Sequence, residues 1–161
     1  MPDIPTNIFD ELIRDEALRL KPYRDNSKAL GFEGRPGKLT IAIGRNLDDR
    51  GVTKEESIYL CQNDVALVTS ELRLNLPWLD SLCDPSQWNT NPRMCVLLNM
   101  GFNMGAGAAG AGLLGFRNML SWLKLKDYPR AAAEMADSAW YNETGARAAR
   151  LVQQMITGEW Q

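Results

Sequence analysis

Two carboxylates, Glu16 and Asp25, stand nine residues apart near the N-terminus, and a hydroxyl, Thr40, follows on the next apolar run. Hydrolysis of a glycosidic bond needs one carboxylic acid to protonate the leaving oxygen and a second to activate water or attack carbon. The chain has no histidine, which removes Ser-His-Asp and Cys-His catalysis and the commonest transition-metal ligand. Carboxylate chemistry is what remains. A glutamate near a helix end and an aspartate at a turn are also ordinary surface residues, so the pair needs support from what surrounds it.

The elements that must position these groups follow from periodicity. Phe9, Leu12 and Ile13 recur at helical spacing. This predicts a helix with an N-cap at Thr6 or Asn7 that ends with Asp15 and Glu16. Ala17 to Arg24 reads as an extended strand interrupted by Pro22, and Asp25-Asn26-Ser27 as a turn. Leu39 to Ile43 alternates apolar with small residues, which predicts a half-buried strand carrying Thr40. Glu16 is thus expected at a helix end and Asp25 at a strand end.

Further on, Asn46 to Gly51 reads as a polar connection, and Thr53 with Glu56 forms a capping box. Ile58, Cys61, Val65, Val68 and Leu72 then fall on one stripe of a long helix that stops at Pro77. Asn91-Pro92 starts a helix over Arg93 to Met104 that is apolar nearly all round and should be buried. Phe116 to Leu125, an alanine-rich stretch after Asp127, and a last helix capped by Thr144 and ending near Gly158 complete the series.

Gly105 to Gly110 fits G-x-G-x-x-G, as does Gly110 to Gly115, with Asp127 at roughly the ribose-binding distance. A nucleotide-binding module would need alternating strands and helices, and the residues that follow read as helices alone. A loose connection lining a cleft is the better reading.

With 161 residues, 45% hydrophobic and 24% charged, the chain has the balance of a soluble globular protein of one or two lobes. A net charge of −2 provides no basic field for nucleic acid or anionic membranes. No apolar run approaches the ~20 residues that span a bilayer, so no membrane insertion is expected. The N-terminus lacks the basic start and apolar core of a secretory signal, and synthesis in the cytoplasm is the expectation. Cys61, Cys83 and Cys95 read as buried free thiols.

The segment DEALRLKPYRD followed by LTIAIGRNL resembles the active-site segment of the phage-type lysozymes, the T-even phage lysozyme family of endolysins. That pattern has Glu, then Asp nine residues on, then Thr in a T-x-G-x-G-like strand. CQNDV, LLNMGFNMG, GFRNML, SAWYNETGARAAR and TGEW extend the resemblance, in order, over nearly the whole chain.

The resemblance implies an α+β, mostly helical fold of two lobes. A small β-hairpin lobe over about 14–60 would be joined by a long helix to a helical lobe over about 61–161, which would also include the N-terminal helix. It implies a muramidase that cleaves the β-1,4 bond between N-acetylmuramic acid and N-acetylglucosamine of peptidoglycan, by inversion, as a monomer without metal or cofactor. Release through a phage holin would bring it to the periplasm. A glycan-binding or structural virion protein on the same fold is the alternative.

Residue by residue, Glu16 would be the general acid. Asp25 would position or activate water, or stabilise the cationic sugar, with Thr40 helping to hold that water. Arg147 and Arg150 match arginines placed near the acid and its neighbour, here Asp15. Phe102 matches a cleft-wall contact, while Asn46, Met119 and Glu134 fall on contact positions with different chemistry. The Asn26 to Lys38 loop is longer than in the T-even members, and Arg45 replaces a histidine that pairs with an aspartate on the long helix. Arg45 is therefore expected to bridge to Asp64.

Overall fold

The computed structural model describes residues 7–25, 37–107 and 110–161. Thr6, the Asn26-Ser27 part of the expected turn, most of the long loop after it and Ala108-Ala109 lie outside the described residues. The chain divides into two compact units, Met1–Ile58 and Tyr59–Gln161.

In the first unit, helix α1 (Ile8–Glu16) begins where the Asn7 Oδ1 accepts the Phe9 and Asp10 N–H groups at 2.8 and 3.1 Å. It ends because Ala17 turns to φ 60°, ψ 145° while its N–H still donates to the Ile13 carbonyl at 3.0 Å. The strand expected from Ala17 therefore starts later. Strands β1 (Arg19–Arg24), β2 (Leu39–Ala42) and β3 (Arg45–Asn46) form an antiparallel sheet in the order β1-β2-β3. Pro22 falls where the β1–β2 register slips, between Arg19 and Tyr23. An irregular edge strand is where a missing N–H does least harm.

The expected polar connection after Arg45 contains β3 and a one-turn helix, α2 (Leu47–Arg50), capped by the Asn46 side chain. The capping box is present: the Glu56 N–H donates to the Thr53 Oγ1 at 3.2 Å, and the Thr53 N–H to the Glu56 Oε2 at 2.8 Å. It opens α3 (Lys54–Asn75), which starts in the first unit and continues into the second.

The expected Arg45–Asp64 bridge is replaced. Arg45 donates through Nη1 to the Glu56 Oε1 at 2.6 Å and through Nε to the Gly51 carbonyl at 2.8 Å. Glu56 wins because the capping box already fixes its carboxylate, so little side-chain freedom is left to lose.

The second unit holds α4 (Pro92–Met104), α5 (Arg117–Lys124), α6 (Tyr128–Ala136), α7 (Ala139–Thr144) and α8 (Ala146–Thr157). Asn91 caps α4 and Pro92 opens it, as the sequence predicts. Val96, Leu97 and Met100 of α4 are fully buried against a core that includes Leu72, Leu113, Met135 and Met155. Polar pins join α8 to α4. The buried Gln154 donates to the Pro92 carbonyl at 2.7 Å, and Arg93 donates to the Met155 and Ile156 carbonyls at 2.8 and 2.9 Å.

Three expectations change here. Cys61 is exposed, and Cys83 and Cys95 are half-buried, all as free thiols. Thr144 ends α7 rather than capping α8, whose N-cap position is held by Gly145 at φ +61°. The glycine-rich connection is tight, not loose: the Leu113 and Leu114 N–H groups donate to the Gly105 and Ala106 carbonyls at 3.0 and 2.9 Å. A Cβ on Gly107 would run into the Ala111 carbonyl, so only glycine allows this approach.

Candidate active site

Glu16 is the last residue of α1, and its carboxylate lies over Gly44, just beyond β2. A Cβ built on Gly44 would stand 3.1 Å from the Glu16 Oε2 and 3.4 Å from its Cδ, at a φ of +66°. The left-handed backbone favours glycine there, and a Cβ would crowd the Glu16 carboxylate. Two non-glycine residues nearby also carry positive φ: Ala17 (60°), which follows Glu16, and Ala42 (57°), which pairs with Arg19. Conformations of this kind cost on the order of 1–3 kcal/mol each and persist where surrounding structure enforces them. Here Ala17 directly follows Glu16, and Ala42 stands two residues before Gly44.

Asp25 and Thr40 meet on the peptide groups of Lys38. The Asp25 Oδ1 accepts the Lys38 N–H at 2.5 Å, and the Asp25 N–H donates to the Lys38 carbonyl at 3.0 Å. The Thr40 hydroxyl donates to that same carbonyl at 3.1 Å and is buried. Thr40 pairs across the sheet with Tyr23 on β1 and with Asn46 on β3. All three predicted catalytic residues therefore lie along β2, with Asp25 and Thr40 at its Lys38 end and Glu16 at its Gly44 end.

The chemical consequence concerns acceptors. With its hydroxyl proton given to Lys38, Thr40 keeps lone pairs for a water proton. Asp25 keeps its Oδ2 for another.

The remaining predicted residues are spread over both units. Asp15 is held by Arg14, with Nε–Oδ1 at 2.8 Å and Nη2–Oδ2 at 3.2 Å, and that hydrogen bond lowers the Asp15 carboxyl from its ordinary pKa. Asn46 spends its amide on α2: Oδ1 accepts the Asp49 N–H at 3.0 Å and Nδ2 donates to the Asp49 Oδ2 at 2.8 Å.

In the second unit, Arg147 donates to the Asn99 Oδ1 at 2.9 and 2.6 Å, and Arg150 is exposed. Arg147, Asn99 and the half-exposed Phe102 line one hollow of about 410 Å³. Met119 and Glu134 belong to another of about 410 Å³, beside Arg117 and Asp137. Glu134 accepts from the Asn118 amide at 3.2 Å, whereas Met119 has no exposed surface and serves as floor.

Two positions escaped the sequence reading. Gly44 carried a readable signal, a glycine ending an alternating strand. Lys38 carried none, because its part is played by peptide groups that every residue has. Among the described residues, no group of three or more His, Cys, Asp or Glu could hold a metal ion. The glycine-rich stretch follows helix α4, not a strand, so it lacks the setting of a dinucleotide site.

With this geometry in place, known proteins provide the comparison. The chain is 26% identical to probable T4-type lysozyme 1 of Dictyostelium discoideum, over 172 aligned residues that cover 95% of each chain. It resembles a T4-type lysozyme over nearly its whole length. It is also 28% identical, over 181 aligned residues and 98% of this chain, to the pre-baseplate central spike protein Gp5 of Enterobacteria phage T4. The chain spans 30% of that spike protein's length. No family model matches. The mostly helical architecture with one small antiparallel sheet agrees with a lysozyme-like α+β fold.

Proposed function

We propose that the protein is a muramidase that hydrolyses the β-1,4 bond between N-acetylmuramic acid and N-acetylglucosamine in peptidoglycan. Glu16 gives its proton to the glycosidic oxygen as the bond to the anomeric carbon breaks. A water between Asp25 and Thr40 forms the new bond from the opposite face and passes a proton to Asp25, which inverts the configuration. The proton later returns to Glu16 through solvent. Phe102, Asn46 and Glu134 provide sugar contacts, and Arg147 and Arg150 supply positive charge, as the resemblance implies; Met119, fully buried, serves only as support beneath Glu134's hollow. The enzyme works as a monomer without metal or cofactor and reaches the cell wall from the cytoplasm once a holin opens the inner membrane. No described helix is long and apolar enough to cross a membrane itself.

The observation that carries this reading is the convergence of Asp25 and Thr40 on the Lys38 peptide, on the same strand whose far end faces Glu16. Similarity to a T4-type lysozyme supports it. Similarity to a phage spike protein favours a second reading, a structural virion component that binds glycan without cutting it. Digestion of purified peptidoglycan separates the two. The first predicts new reducing ends at muramic acid, released as the α-anomer in NMR spectra taken early in the reaction. The second predicts sedimentation with peptidoglycan and no new reducing ends.

A further inference from the structure

Strand β2 has a β-partner on both sides only over part of its length. β3 reaches Thr40 and Ile41 and no further back. One residue earlier a carboxylate stands in for the missing strand: the Leu39 N–H donates to the Asp48 Oδ2 at 2.9 Å. The next carboxylate, Asp49, accepts the Lys38 Nζ at 2.8 Å and is itself oriented by Asn46, as described above. Arg24 closes the group, donating to the Gly37 carbonyl at 2.9 Å and lying 3.7 Å from the Asp48 Oδ2.

We propose that Asp48 and Asp49 are positioning residues, a clamp on Lys38 and Leu39 that fixes the Lys38 peptide and, through it, Asp25 and Thr40. The assignment of a function to this clamp rests on the hydrolysis proposed above. From one side α2 grips residues 38 and 39; on the other, the N–H and carbonyl of Lys38 hold the two groups that would present water. Acidic residues in a first helical turn often serve only to offset the helix dipole. That explanation is weak here, since α2 has a single turn and each carboxylate reaches outside it, Asp48 to the Leu39 N–H and Asp49 to the Lys38 ammonium. Asn46, Asp48 and Asp49 fall within a span of four residues, at the end of β3 and in the turn of helix that follows it.

The test compares Asp48→Ala with Asp48→Asn in the full chain, because the carboxamide keeps an oxygen that can accept the Leu39 N–H. Amide hydrogen exchange reads the clamp without reference to any reaction. Asp48→Ala should speed exchange by about 10-fold or more at Leu39 and also at Asp25, whose N–H is held by Lys38, while Asp48→Asn stays near wild type.

Kinetics on solubilised peptidoglycan reads its purpose. Asp48→Ala should lower kcat by about 10-fold with KM nearly unchanged, and the loss should vanish in an Asp25→Asn background, since the clamp acts through Asp25. Faster exchange at Leu39 with none at Asp25, or a kcat equal to wild type, overturns the proposal. If instead Glu16→Gln turns over like wild type, the reaction assignment has failed, and the exchange arm still decides whether the clamp exists.

Discussion

The two units are built on different principles. Every buried apolar side chain among the described residues, from Leu72 to Met155, lies in the second unit. In the first, the only buried side chain among the described residues is Thr40. The second unit is held by close packing around α4, and the first by caps, a short sheet and ion pairs at its surface. Packing is tolerant of exact angles but costly to empty. A hydrogen-bonded frame contributes less stability, yet it sets the distance and direction of individual polar atoms. The proposed acid and water-holding groups all sit in the first unit, where position is set atom by atom.

This contrast can be broken most sharply from the core side. Met100→Ala removes a fully buried side chain, and should lower unfolding free energy by about 2–5 kcal/mol in denaturant titrations. Turnover measured well below the unfolding midpoint should stay close to wild type. A Met100→Ala protein as stable as wild type would remove the distinction between the units.

Gly44→Ala tests the opposite side. Its left-handed φ should cost an alanine about 1–2 kcal/mol. Its Cβ would press on the Glu16 carboxylate, so kcat should fall by about 10-fold or more, beyond any loss of folded protein. An alanine variant with wild-type kcat would mean that the Glu16 side chain finds another seat.

The smallest effect is a pH dependence. The Thr53 N–H, desolvation aside, and then the Arg45 charge hold the Glu56 carboxyl below its ordinary pKa. A folded pKa below the unfolded value of ~4.3 gives stability that is present above that value and lost as pH falls through the folded one. Glu56→Gln should therefore flatten the melting temperature against pH on the acidic side and leave the alkaline side unchanged, since arginine keeps its charge there. A profile identical to wild type below pH 5 would contradict the role given to Glu56.

Much of the frame was legible because its signals are local. Asn7, Thr53 with Glu56, and Asn91-Pro92 each announce a helix start within a few residues, and each start is where it was expected. Residues whose state depends on distant chain were less legible. Cys61 matched the apolar stripe of α3 by spacing, but the stripe is buried only farther along, at Leu72. Arg45 was expected to reach Asp64, and spacing could not show that the capping box orients Glu56 to take it instead. Met119 fell on a sugar-contact position by resemblance, while α5 turns that face into the core. At the candidate site, residue types raised Glu16 and Asp25, and the resemblance to the phage-type lysozymes singled them out together with Thr40. The Lys38 peptide that joins two of them could not be named, since backbone groups leave no mark in a sequence.

The most direct test of the central claim is the rate at which Glu16→Gln releases reducing ends from purified peptidoglycan, measured beside its melting temperature. The substitution keeps shape and removes the proton. Loss of a general acid should lower the rate by about 10²–10⁴-fold with melting unchanged. A folded Glu16→Gln protein that cuts peptidoglycan as fast as wild type would contradict the account.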